Sequence, residues 1–211
     1  MAITVSESSA NAIKEWLSDD KIRVVNAGNG CSSIFDAELV TPLRLDRPYF
    51  LYVGNFKPHK NPMPAFQAMK EFPEHLLVVV TSDTEAADAM TETVGLGDRV
   101  KVHANVPDDR LARLYAGCEA LLFPSILEGF GLPVVEALKT GGKVIFYSGA
   151  AAVREICEGT QFGVEDANSS GDFAAAMRLA CTQPFRRPPT IDKYDWDDVA
   201  DRVNSVLEEV V

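Results

Sequence analysis

Leu76-Leu-Val-Val-Val80 is apolar at every position. So short a run, with no polar residue alternating, reads as a strand covered on both faces. That is the pattern of a parallel sheet buried between helices, not of a sheet with one wet side. Outward from it, similar runs at 49–53, 100–103, 120–123, 144–147 and, most weakly, 161–164 alternate with amphipathic stretches. Met63, Phe66 and Met69 share one face of the first such stretch and Leu111, Leu114 and Tyr115 one face of the third, while Pro62 and Pro107 mark helix starts. This alternation predicts an α/β fold, a doubly wound, Rossmann-like parallel sheet of six strands with helices on both faces. Ligands of such folds bind beyond the carboxyl ends of the strands.

One loop leaving such an end concentrates the chemistry. In Phe123-Pro-Ser-Ile-Leu-Glu-Gly-Phe-Gly-Leu-Pro-Val-Val-Glu136, two glutamates flank a glycine-rich turn that runs into a helix. Gly129 and Gly131 let backbone N–H groups approach a ligand without a Cβ in the way, and Pro133 suits a first helical turn because it leaves no N–H unpaired. A helix start attracts phosphate, but Glu128 and Glu136 would repel it, so the two carboxylates read as acceptors for hydroxyls. The vicinal diols of a ribose and a hexose fit that need, with a cation elsewhere holding a diphosphate. Solvated acids on an ordinary strand–loop–helix connection would not call for this glycine placement.

The first 48 residues stand apart. The run 6–19 reads as a helix with Ala10, Ile13, Trp16 and Leu17 on one face, 22–25 as a strand, 26–30 as a turn and 41–48 as a connecting loop. At the other end Trp196, Val199, Val203, Val206 and Val210 follow helical spacing along a C-terminal amphipathic helix. Asp195-Trp-Asp197 superficially resembles a metal-binding Asp-x-Asp, but its place before that helix makes Asp195 a cap. Asp108 and Asp109 after Pro107 read the same way.

Composition narrows the function classes. At 211 residues the chain suits one sizeable core, or one domain with an appendage, and not two full α/β domains. A formal charge of −11 at pH 7 argues against a general nucleic-acid or anionic-membrane surface, and no apolar run approaches a membrane span. Met1-Ala-Ile-Thr-Val lacks the features of a signal peptide, so a cytoplasmic location is the default. Cys31, Cys118, Cys157 and Cys181 show no metal-binding spacing and read as reduced, mostly packed thiols.

Taken together these segments resemble the C-terminal half of a two-domain GT-B glycosyltransferase of the retaining family four, or group 1. Phe50-Leu-Tyr-Val-Gly-Asn-Phe-Lys-Pro-His-Lys-Asn61 is similar to that family's first strand and phosphate loop, 107–115 to the helix before the motif strand, and 123–136 to its most specific signature. Residues 4–7 and 25–30 are similar to the segment joining the two domains, and the helix bearing Trp196 also has a counterpart. The resemblance implies a nucleoside-diphosphate sugar as donor, with no cofactor and no essential metal. It implies Lys60 and Gly54-Asn55 at the diphosphate, Glu128 with Gly129, Phe130, Gly131 and Leu132 at the sugar, and Glu136 at the ribose. Lys60 and Glu128 become the candidate catalytic residues. Ser82 and Val106, at strand ends, become neighbours of base or phosphate, and Glu155 lies near a site-facing glutamate of relatives, with a surface pair with Arg154 as the competing reading.

Two departures matter. Asn55 stands where relatives carry a second phosphate-binding arginine, so either Lys57 compensates or the grip weakens. The acceptor domain of relatives precedes the segment around Thr4, so the expectation is a donor-binding half that is completed by an N-terminal domain in cis or by a partner subunit in trans. A non-catalytic nucleotide-sugar-binding or protein-interaction module is the rival that Asn55 favours, and a sugar-nucleotide epimerase of the same architecture is a weaker one.

Overall fold

The computed structural model describes residues 1–17 and 22–209. A small unit comes first: β1 (Ala2–Thr4), α1 (Glu7–Leu17) and β2 (Val24–Asn26), with β1 and β2 paired in parallel. Ser18 and Asp19, the expected end of this first helix, lie outside the described residues. The main sheet follows as β3 (Tyr49–Val53), α2 (Met63–Ala68), β4 (Leu76–Val80), α3 (Thr84–Val94), β5 (Val100–His103), α4 (Asp108–Gly117), β6 (Leu121–Phe123), α5 (Leu132–Lys139), β7 (Val144–Tyr147), α6 (Ala151–Cys157), β8 (Phe162–Val164), α7 (Ser170–Thr182) and α8 (Trp196–Glu208). All six expected strands are present, four with the bounds read from sequence, and every pairing is parallel.

The strand order β5-β4-β3-β6-β7-β8 starts a new half of the sheet at β3 and β6. Chain direction along the sheet reverses there, so the crevice beyond β3 and β6 is the topological switch point. Alternation along the strands splits the interior into two cores. Tyr49 and Leu51 point to the layer covered by α4, α5 and α6 with Leu114, Val134, Leu138 and Val153, while Phe50 and Tyr52 point to the layer covered by α2 and α7 with Phe66, Met69, Phe173 and Met177. Leu51, Leu77, Val78 and Leu121 are fully buried, which explains why the β4 run contains no polar residue.

α8 closes the molecule on its first unit. Asp195 Oδ1 accepts from the Asp197 amide at 2.8 Å, the expected cap, and Arg202 Nε donates to Ala27 O at 2.8 Å. Gly30 lies under the Trp196 ring, where a Cβ would fall 2.4 Å from the indole. Trp196 is still 53% exposed, whereas Val206 is buried. Val210, the last residue of the expected face, is outside the described residues. Among the described residues no helix is long and apolar enough to cross a membrane, and the four cysteines are free.

Candidate active site

Two loops meet at the switch point. The loop after β3 leaves the sheet at Gly54, whose amide donates to Val80 O at 3.1 Å, and is fastened at its base by the Tyr52 hydroxyl donating to Asn55 O at 2.6 Å. Asn55 Oδ1 accepts from the Lys57 amide at 3.2 Å, which engages its oxygen within the loop and leaves its NH2 as the group available to a ligand. A single 3-10 turn over Pro58–Lys60 then ends on Asn61 in the left-handed region, φ 45°, with Asn61 Nδ2 donating to Ala167 O at 2.8 Å. Asparagine tolerates that conformation better than most residues, and the side-chain bond pins the turn to the loop after β8.

The loop after β6 comes to meet it. Ile126 N donates to His59 O at 2.9 Å, and Lys60 Nζ lies 2.6 Å from Glu128 Oε1. This ion pair is largely enclosed, with the lysine and glutamate side chains 19% and 13% exposed. Lys60 Nζ also sits 5.7 Å from the Phe123 ring centroid. Beyond Glu128, Gly131 has φ 127° at the N-cap of α5, a conformation open in practice only to glycine, and Pro133 falls in the first turn as expected. Gly129 is free of that constraint: a Cβ there would meet only Ser9 Oγ, at 3.7 Å. Its value is the open face it leaves. Phe130 turns inward, packing edge-on against Tyr194 with centroids 5.4 Å apart, while Leu132 stays exposed.

Glu136 lies one turn into α5, and the Tyr115 hydroxyl of α4 donates to its Oε2 at 2.9 Å. Burial pushes the Glu136 carboxyl up from its ordinary value, against the opposing pull of the Tyr115 bond, and nearby Asp108 pushes it further up. Among the described residues Oε1 accepts no hydrogen bond. Ser82 and Val106 fall just past the ends of β4 and β5. Ser82 is exposed and Val106 packs partly against the core. Among the described residues neither bonds to Lys60, Glu128 or Glu136; of the candidates, Lys60 and Glu128 are in direct contact, while Ser82 follows β4, beside β3, and Val106 follows the edge strand β5.

The N-terminal unit also reaches the site, through residues that sequence reading did not assign to it. Ser6 Oγ and Ser9 Oγ lie 2.7 and 3.0 Å from Gly129 O, and Glu155 Oε1 accepts from the Ser8 amide at 2.9 Å. Among the described residues Glu155 makes no ion pair with Arg154. It holds the start of α1. Ser6 before an amphipathic run carries a legible capping signal, but nothing local announces a partner 123 residues away.

The family profile described as glycosyl transferases group 1 matches residues 37–188. The chain belongs to this family. As a group 1 glycosyltransferase it is 36% identical over 166 residues to O-antigen chain mannosyltransferase RfbU of Salmonella typhimurium, covering 76% of this chain and 47% of that protein. It is 29% identical over 161 residues to O-antigen chain mannosyltransferase B of Escherichia coli, covering 69% of this chain and 42% of that protein. This group 1 chain thus spans less than half the length of both relatives. Its fold is that of the GT-B neighbours. The pneumococcal O-GlcNAc transferase GtfA, solved with UDP and GlcNAc, superposes with a TM-score of 0.74 at 15% identity over 99% of this chain and 44% of that one.

Proposed function

We propose that this group 1 glycosyltransferase uses the switch-point crevice to bind a nucleoside-diphosphate hexose, and that it works as the donor-binding half of a retaining, metal-independent enzyme. The observation that carries this reading is the meeting of Lys60 and Glu128 across two loops, a cation and a hydroxyl acceptor within one hydrogen bond of each other. A diphosphate needs the first and the sugar joined to it needs the second. On binding, Lys60 turns to the diphosphate, helped by the Asn55 NH2, and stabilises the negative charge that grows as the glycosidic bond breaks. Glu128, released from the lysine, accepts from sugar hydroxyls beside the amides of the Gly129–Leu132 turn. Glu136, held by Tyr115, takes the ribose diol and contributes binding more than chemistry.

In this reading residues 49–211 form the donor domain and 1–48 the interdomain segment. The acceptor pocket comes from an N-terminal domain in cis or from a partner subunit in trans, because transfer to anything but water requires a second wall to exclude it. Family membership and the mannosyltransferase names of the relatives favour transfer over a non-catalytic module. They also make a guanosine-diphosphate mannose a sensible first donor. Calorimetric titration with uridine, guanosine and adenosine diphosphates and their hexose conjugates, with and without magnesium, tests the proposal. Selective, magnesium-independent binding of one conjugate is expected. No binding at millimolar ligand would sink the proposal for this chain, and turnover of the conjugate without an acceptor would point instead to an epimerase.

A further inference from the structure

We infer that the start of α1 positions the sugar-contacting loop, and that Ser6 and Ser9 are positioning residues for the site through the Gly129 carbonyl. The inference rests on the donor-site reading above, and it makes the first unit of the chain a working part of that site.

Both hydroxyls converge on one oxygen. Ser6 donates to Gly129 O at 2.7 Å and Ser9 at 3.0 Å, with the two hydroxyl oxygens 3.0 Å apart. Ser6 Oγ accepts in turn from the Ser9 amide at 3.0 Å, so the side chain that caps α1 also ties down the loop. Ser6 is 4% exposed, so its bond to Gly129 O is the sheltered one of the two, while the Ser9 bond lies at the surface. The helix start is itself fixed from the far side, by Glu155 on the Ser8 amide.

The orientation matters more than the tether. In a trans peptide the C=O and the following N–H point in opposite directions. With Gly129 O held against α1, the Phe130 N–H is therefore turned away from α1. The Gly129, Phe130 and Gly131 amides have no acceptor among the described residues. These are three successive unpaired donors that follow Glu128 in the chain, and the serines fix the plane of the central one. The loop also has somewhere to go if released. A cavity of about 240 Å³ lined by Ser6, Asn26, Phe130, Glu155 and Tyr194 lies beside it.

The contact is expected to act on the sugar more than on the nucleotide, because Asn55 is held within its own loop and Glu136 by Tyr115, and only Lys60 bonds to the sugar loop, through Glu128. Two variants separate positioning from folding. Ser9→Ala leaves the α1 cap intact, and Ser6→Asp keeps a capping acceptor while removing the proton donated to Gly129. Each is expected to leave affinity for the bare nucleoside diphosphate within about twofold of the parent and to lower affinity for its hexose conjugate about fivefold, the worth of one hydrogen bond. Ser6→Thr, which keeps both functions, is expected to restore conjugate binding. Equal losses for both ligands, or no loss for either, would overturn the inference.

A second measurement needs no donor. Hydrogen exchange of the Ile126 amide, bonded to His59 O at 2.9 Å, is expected to quicken in ligand-free Ser9→Ala relative to the parent, and unchanged exchange would refute the tether. If the parent binds no conjugate, the donor-site reading fails. The exchange result then decides the coupling on its own.

Discussion

Lys60 Nζ and Glu128 Oε1 are 2.6 Å apart, so the cation and the acid that the proposed reaction needs neutralise one another before any donor arrives. An anionic ligand must compete with a carboxylate for the lysine. Glu128→Gln removes the competitor while keeping an acceptor oxygen, and it is expected to raise affinity for a bare nucleoside diphosphate roughly threefold, consistent with a partly screened ion pair. The same variant is expected to lose sugar transfer once the acceptor side is supplied. Lys60→Ala is expected to reduce diphosphate affinity about tenfold or more. Calorimetry on the two variants tests both, and a Glu128→Gln variant that binds diphosphate more weakly would refute the competition.

Asn55 offers the reverse experiment. It lies in the phosphate loop with its oxygen already bonded to the Lys57 amide, so Asn55→Arg adds charge where only an amide stands. Diphosphate affinity is expected to rise about tenfold and to become more sensitive to salt. No gain would mean that the loop aims this position away from the diphosphate.

Glu136 should leave a pH signature in stability. Its native pKa is raised, with burial as the largest cause. A raised carboxyl is more protonated in the native than in the unfolded chain, so its favourable contribution is fully present below the unfolded value of about 4.3 and is lost as pH rises through the native value. Glu136→Gln removes that slope. Thermal midpoints measured across this window are expected to fall with pH more steeply in the parent than in the variant, and parallel curves would show that Glu136 is not shifted. Tyr115→Phe, which deletes the donor to Glu136 Oε2, is expected to cost about 1–2 kcal/mol and to weaken nucleotide binding.

The two glycines of the sugar loop should behave differently. Gly131→Ala places a Cβ on a backbone with φ 127°, and is expected to cost about 1–3 kcal/mol in denaturant unfolding. Gly129→Ala meets only Ser9 Oγ at 3.7 Å and is expected to leave stability within about 0.5 kcal/mol of the parent. Its effect should appear instead as weaker binding of the hexose conjugate. Equal destabilisation by both changes would contradict the geometry.

The sheet was legible because its strands are buried on both faces. Burial demands unbroken apolar runs, and Tyr49–Val53, Leu76–Val80 and Val144–Tyr147 carry their bounds in plain view, while the edge strand Val100–His103 alternates instead, with Lys101 exposed. The candidate crevice residues were chosen by resemblance, and of these the structure puts Lys60 and Glu128 in contact. β1 was not read. Three residues whose pairing depends on β2, beyond a helix, leave almost no local pattern. Met69 was placed on the same helical face as Met63 and Phe66, but α2 ends at Ala68 and the chain tightens into a 3-10 turn over Met69–Glu71 before β4. The serine contacts to Gly129 and the reach of Glu155 were hidden for a different reason. A hydroxyl or carboxylate at a helix start already has a sufficient local explanation, and only the folded chain reveals a distant second partner.

The strand order also sets when the site can exist. Leu51 pairs with Val78 across one short crossover, and Leu121 with Val144 across another, whereas the Leu51–Leu121 register joins residues 70 positions apart. Loop-closure entropy favours the two local pairings first and leaves the β3–β6 seam for last. The phosphate loop belongs to one folding half and the sugar loop to the other. A chain arrested before that seam closes would hold most of its secondary structure and bind nothing, so recovery of donor affinity during refolding should trail recovery of helical signal and mark the final step of assembly.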